Sequence, residues 1–219
     1  VPTSEEKKEA FKKSLIAPAA LFVAGGIAFT DNGFWSDDAW EDARNESFSD
    51  FSTKVDDYLI FAPIAAVYGL ELAGVKGKNS LRDRTAILLK AELMGFALVA
   101  PLKAVTNIQR PNGENNESFP SGHTAQGFIA ATFLHREYGH LSPWYSIGGY
   151  AVATSVGALR ILNNKHHLSD VLFGAGIGIL VTNIAYLTHG YKRTKKINGL
   201  TVLPTYSEGN IGFAAGFKF

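Results

Sequence analysis

The sequence predicts an all-α fold: a six-helix bundle that crosses a membrane, followed by a short tail resembling a β-hairpin. Three observations carry this expectation. Apolar residues make up 46% of the 219 and charged residues only 19%, below the roughly 25% usual in soluble chains. The apolar residues cluster into six stretches, 15–29, 58–75, 86–105, 124–134, 144–159 and 171–188. Most of these approach the roughly 20 residues that a bilayer span takes, and the fourth is short. Glycine and alanine are abundant, which suits close helix packing.

Taken in order, residues 5–13 form a charged amphipathic lead-in, and the first helix is expected from about Ser14 with Pro18 near its first turn. Residues 31–57 are polar, with nine acids, two basic residues, Trp35 and Trp40; they are expected to form a loop with short helical pieces. The second apolar stretch carries Glu71, and the third carries Lys90 and Glu92. A basic turn over 76–84, broken by Gly77 and Asn79, joins them. The third helix is expected to run to about Arg110, where Pro111, Asn112 and Gly113 stop it. The fourth starts at Ser121 or Gly122. Residues 139–143 break the chain before the fifth, and 162–165 turn into the sixth, which ends near Gly190. The helical part is expected over 1–198. Over 199–219, Leu200, Val202, Ile211, Phe213, Phe217 and Phe219 alternate among glycines, as in a hairpin. Outer-membrane barrels end in a similar pattern, but one hairpin cannot make a barrel. The chain starts at Val1, and a preceding segment is expected.

Net charge is +1, so nothing overall points to nucleic acid. Cysteine is absent, which removes disulfides, thiolate metal sites and a cysteine nucleophile.

Three clusters carry chemistry. Lys103 and Arg110 stand seven apart, on one face of the third helix and two turns apart along it. Alone, such a pair is more often solvated. Residues 118–124, Ser-Phe-Pro-Ser-Gly-His-Thr, describe a helix N-terminus whose free N–H groups bind anions; Ser121 and Gly122 would form the cradle, with His123 in the first turn beside it. Arg160, His166 and Asp170 form the third. His166 and Asp170, four apart, can meet, so that the carboxylate fixes the tautomer and frees the other nitrogen as a nucleophile. His167, three from Asp170, competes for that part. Arg160 offers a fork for phosphate oxygens.

Together and in this order the clusters resemble the three signature motifs of the type 2 phosphatidic acid phosphatase superfamily, over about residues 103–174. That superfamily includes bacterial acid phosphatases, lipid phosphatases and vanadium haloperoxidases. One departure is Leu159, where the family usually has a serine before the arginine. The resemblance implies a phosphatase that needs no metal and no cofactor. It implies His166 as the nucleophile forming a phosphohistidine, Asp170 orienting it, and His123 as general acid and then base. It further implies that Lys103, Arg110, Arg160, Ser121 and Gly122 bind the phosphoryl group.

Six spans would also sort the charge. One side receives thirteen Lys and Arg, and the side with all three clusters receives six. By the positive-inside rule, the site then faces the periplasm from a bacterial inner membrane. The expected substrate is a lipid phosphate monoester or pyrophosphate, with the membrane as partner. A soluble periplasmic acid phosphatase of broad specificity is the alternative, and a vanadium haloperoxidase is a more distant one.

Overall fold

In the computed structural model, residues 4–30, 33–190, 200–207 and 210–217 are described. The chain divides into two compact units between His189 and Gly190. The first unit is all-α, with eight helices among the described residues: α1 (Ser4–Thr30), α2 (Asp37–Phe48), α3 (Val55–Leu59), α4 (Ala62–Leu72), α5 (Leu81–Thr106), α6 (Gly122–Tyr138), α7 (Pro143–Leu162) and α8 (Leu168–Leu187). The second contains β1 (Leu200–Ser207) and β2 (Asn210–Phe217), antiparallel, with Leu200 opposite Phe217 and Ser207 opposite Asn210. Leu200 to Phe217 of the alternating tail lie in these strands, and Phe219 lies outside the described residues.

Three boundaries differ from expectation. The six-helix count becomes eight among the described residues, because the short helical pieces expected within the acidic stretch are two defined helices, α2 and α3. Ser36 caps α2, its hydroxyl accepting from the Ala39 N–H at 3.1 Å, and Asp37 and Asp38 in the first turn favour that end of the helix dipole. The first helix starts at Ser4, not near Ser14, and runs through Pro18. A proline there leaves the carbonyl four residues earlier without its helical N–H; that carbonyl, on Ser14, instead accepts from Asn183 Nδ2 of α8 at 3.1 Å. The third expected helix, α5, ends at Thr106. Asn107 turns left-handed (φ 49°), and its N–H closes on the Lys103 carbonyl at 3.1 Å, a conformation that asparagine tolerates better than most residues.

Helix α8 is the hub, packed against α1, α5 and α6. It approaches α6 closely. A Cβ on Gly174 would stand 2.5 Å from the Ser121 carbonyl oxygen, and one on Gly178 would collide with the Ala125 carbonyl. Ile87, Ala91, Ile129, Phe133, Ile177 and Val181 fill the core between α5, α6 and α8. Outward faces are apolar as well: Val23, Ile27 and Phe29 on α1, and Leu89, Leu93 and Phe96 on α5, are exposed. Among the described residues, α1 (from Glu9), α5 and α8 are long and apolar enough to cross a membrane.

Candidate active site

The site lies where the start of α6, the start of α8, the end of α7 and the segment after α5 meet. Asp170 is its anchor. Its Oδ2 accepts from Ser118 Oγ at 2.5 Å and from the His167 N–H at 2.9 Å. Its backbone carbonyl accepts from the Ser121 N–H at 3.0 Å, which ties α8 to α6.

His166 Nδ1 and His167 Nδ1 both stand 3.4 Å from Asp170 Oδ2, so distance alone does not choose between them. Surroundings do. His166 is 2% exposed and faces the charges of Arg160 and Lys103. Burial pushes its imidazole down to about 4; Asp170 opposes the shift, and the two cations add to it. The ring is therefore neutral at ordinary pH, as a nucleophile must be. His167 is half-buried and turns toward Glu41 of α2 at 3.5 Å. Burial disfavours its charge, but Asp170, Asp37 and Glu41 outweigh this and push it up. The carboxylates thus favour the charged form of this ring, which is not nucleophilic. His166 and Asp170 do meet, though not on one helical face: α8 begins at Leu168 with His167 as its N-cap, and His166 precedes the helix.

Lys103 and Arg110 also come to the site by a route different from the expected one. Because α5 stops at Thr106, Lys103 is in its last turn and Arg110 lies in the following segment, so they share no helical face. That segment is held by Ser118 N–H to the Ile108 carbonyl (3.0 Å) and Arg110 N–H to the Asn115 carbonyl (2.9 Å). Lys103 Nζ donates to the Glu117 carbonyl, and its stem runs beside Gly122, 4.0 Å from where a Cβ would stand. Arg110 reaches a carboxylate only at 3.9 Å, that of Glu114, which Lys165 also binds. Burial and the nearby Arg160 charge both lower its pKa.

Ser121 caps α6. Its Oγ accepts from the Thr124 hydroxyl at 2.9 Å and, more weakly, from the Thr124 N–H at 3.4 Å. The Gly122 and His123 amides, in the first turn, have no carbonyl one turn back within the helix to bind. Gly122 is not forced by crowding, since a Cβ there would meet its neighbours at ordinary contact distance. Two guanidinium nitrogens, Arg110 Nε and Arg160 Nε, are buried without a hydrogen-bond partner among the described residues. A buried N–H without an acceptor is costly, and two of them on guanidinium groups whose charges act on each other describe a place for an anion's oxygens.

Sequence reasoning missed three contributors. Asp56, fully buried, accepts from Arg160 Nη1 at 2.7 Å. Asp57 stands 2.9 Å from His123 Nε2. Ser118 was in view as part of its motif but not as a ligand of Asp170. Neither acid had a distinguishing spacing within a stretch of nine. Among the described residues, no group of three or more His, Asp or Glu side chains is placed to hold a metal ion.

A buried imidazole, a carboxylate beside it, three cations and a helix N-terminus come together here, an arrangement suited to binding an oxyanion. Residues 85–194 match the PAP2 superfamily, and the chain belongs to it. The lipid A 1-phosphatase of Porphyromonas gingivalis is 36% identical over 190 residues, covering 80% of this chain and 42% of that protein. A probable lipid phosphate phosphatase 4 of Arabidopsis thaliana is 32% identical over 93 residues, 34% of this chain and 28% of that one. The chain thus spans less than half the length of these curated relatives. Among solved structures, Aquifex aeolicus LpxE aligns with a TM-score of 0.50 at 23% identity, over 66% of this chain and 93% of that one. A transmembrane PAP2-type phosphatidylglycerolphosphate phosphatase from Bacillus subtilis aligns with a TM-score of 0.48 at 20% identity, over 78% and 94%. The first of these shares the fold, and the three apolar helices give the unit the character of a membrane protein.

Proposed function

We propose that this chain hydrolyses a lipid phosphate, as a monoester or pyrophosphate, through a phosphohistidine on His166 and without a metal. The observation that carries the reading is the buried His166, its Nδ1 3.4 Å from Asp170 Oδ2 and its ring facing the charges of Arg160 and Lys103, with Arg110 and Arg160 each keeping an open N–H. His166 Nε2 attacks phosphorus, and the bond to the leaving oxygen breaks as His123 gives that oxygen a proton. Water then attacks the phosphohistidine and gives its proton to His123. The P–N electron pair returns to His166, and inorganic phosphate leaves. Lys103, Arg110, Arg160 and the Gly122 amide hold the equatorial oxygens and stabilise the charge of the transition state.

The lipid reading rests on what adjoins the cradle. A cavity of about 770 Å³ runs from Lys103 and Gly122 between α5 and α6, past Val99, Phe96 and Leu93. This is room for acyl chains directly below the phosphate site. The relatives named for lipid A 1-phosphate and lipid phosphate fit the same class. Purified protein is expected to release phosphate from lipid phosphates in detergent with a higher kcat/KM than from a soluble aryl phosphate. Equal efficiency on both would move the reading to a broad-specificity acid phosphatase. Activity is expected to survive EDTA and to be blocked by vanadate, a mimic of the five-coordinate state. Loss on chelation, restored by a divalent ion, would overturn the metal-free mechanism.

The charge asymmetry supports an inner-membrane location with the site facing the periplasm. Ser118 is buried against Asp170 and would not report on exposure, so the exposed Asn116 and Lys76 suit the test. In spheroplasts, Asn116→Cys is expected to react with an impermeant maleimide, and Lys76→Cys only after lysis. Reaction of both before lysis would count against this topology.

A further inference from the structure

The two site histidines each meet a carboxylate, but through opposite ring nitrogens. His166 uses Nδ1 toward Asp170. His123 uses Nε2 toward Asp57, 66 residues upstream, at 2.9 Å. Asp57 belongs to α3, whose two adjacent acids act differently. Asp56 is buried, with Oδ2 on Arg160 and Oδ1 accepting from Asn163 Nδ2 at 3.1 Å. Asn163, at the end of α7, also clamps Thr53 from both sides: its Oδ1 accepts from the Thr53 N–H at 2.8 Å, and its Nδ2 donates to the Thr53 carbonyl at 3.0 Å. These bonds pin the start of α3 to the end of α7. The next residue, Asp57, is thereby carried over the site with its carboxylate half exposed, facing His123 and, at 3.7 Å, Arg160.

We propose that Asp57 is the positioning residue of the general acid, holding His123 by Nε2 so that Nδ1 faces the leaving oxygen. The proposal rests on the phosphatase reading above. A carboxylate at Nε2 requires the proton there, which leaves Nδ1 to carry the transferable one in the imidazolium. The charges facing His123 are Arg160 from α7 and Asp56 and Asp57 from α3. Burial and Arg160 hold the ring's pKa below that of a free imidazole, and the two acids offset only part of this. Without Asp57 the ring loses its proton at lower pH. A general acid works only while protonated, so the falling, alkaline limb of the rate profile moves toward acid. A surface ion pair with no part in proton transfer would produce neither this shift nor any dependence on the leaving group.

The test compares the full chain with Asp57→Asn and Asp57→Glu on two substrates: an alkyl phosphate, whose leaving oxygen needs a proton, and 4-nitrophenyl phosphate, which does not. Asp57→Asn is expected to slow the alkyl ester about 100-fold and the aryl ester less than tenfold, with the alkaline limb displaced toward acid. Asp57→Glu is expected to recover part of the loss. Equal losses on the two esters, or unchanged rates and profile, would overturn the proposal. NMR titration of His123 in a His166→Ala background needs no turnover. His123 is expected to titrate at lower pH when Asp57 is Asn, and an unchanged midpoint overturns the proposal. If the unmodified protein released no phosphate from either ester, the phosphatase reading would fail, and this titration would still decide the pairing.

Discussion

The helical unit buries two clusters of charge, and they are built differently. Around Arg84, 1% exposed, the fork is surrounded. Nη1 donates to the Tyr138 hydroxyl at 3.0 Å, and Nη2 donates to the Asn79 carbonyl at 2.8 Å and meets Glu71 at 3.0 Å. Nε, beyond hydrogen-bond length, still faces the Glu137 carboxylate at 3.6 Å. Glu137 in turn accepts from Asn79 Nδ2 at 2.6 Å and from the Tyr186 hydroxyl at 2.7 Å. Around His166, by contrast, Lys103 donates to backbone carbonyls, and Arg110 has a carboxylate only at 3.9 Å. Arg160 has one strong partner in Asp56, and its Nε faces none among the described residues. Matched charge in the first cluster joins α4, α5, α6 and α8. Charge left open in the second is available to a ligand, and the fold carries the cost of keeping it so.

The comparison can be broken by substitution. The largest effect is expected from His166→Ala: phosphate release falls by four orders of magnitude or more, with the thermal midpoint in detergent nearly unchanged. Next comes Arg84→Ala, which strands Glu137 and is expected to cost about 3–5 kcal/mol of stability, measured by denaturation in detergent. The folded fraction should keep turnover within a few fold. Arg110→Ala is expected to reverse that pattern, with kcat/KM down about 100- to 1,000-fold and stability held or raised, since a crowded cation is removed. If Arg110→Ala unfolded the protein as Arg84→Ala does, the two clusters would not differ in kind. The smallest effect is expected from His167→Ala, less than tenfold on kcat. A loss as large as that of His166→Ala would assign the nucleophile to His167.

The bundle was legible because apolar runs near bilayer length leave few choices of fold. The residues that converge on the candidate site were legible because their types fall in order at fixed short spacings. What the sequence concealed was long-range. Asp56 and Asp57 look like seven other acids until Asn163 pins their segment to α7. The end of α5 was misplaced because Asn107 can adopt a left-handed turn without a glycine, four residues before the Pro-Asn-Gly run that looked like the stop. The start of α1 was misplaced because Pro18 ordinarily marks a first turn, and its stranded carbonyl finds a donor on α8, 169 residues away.

Gly174 and Gly178 have a consequence for engineering. With no side chain there, the α6 backbone rests directly on α8, and the Ser121 N–H closes on the Asp170 carbonyl. The helix that carries His123 in its first turn and the helix that carries Asp170 in its first turn are therefore gauged against each other by two missing methyl groups. A single added carbon at position 174 would act as a shim between them. It would move His123 relative to His166 without touching either, and reactivity that depends on near-contact geometry falls steeply with such displacements. Substitution at either position is expected to lower activity through this displacement alone. A designer who wants a looser pocket has to work on the α5 side, where the groove is open.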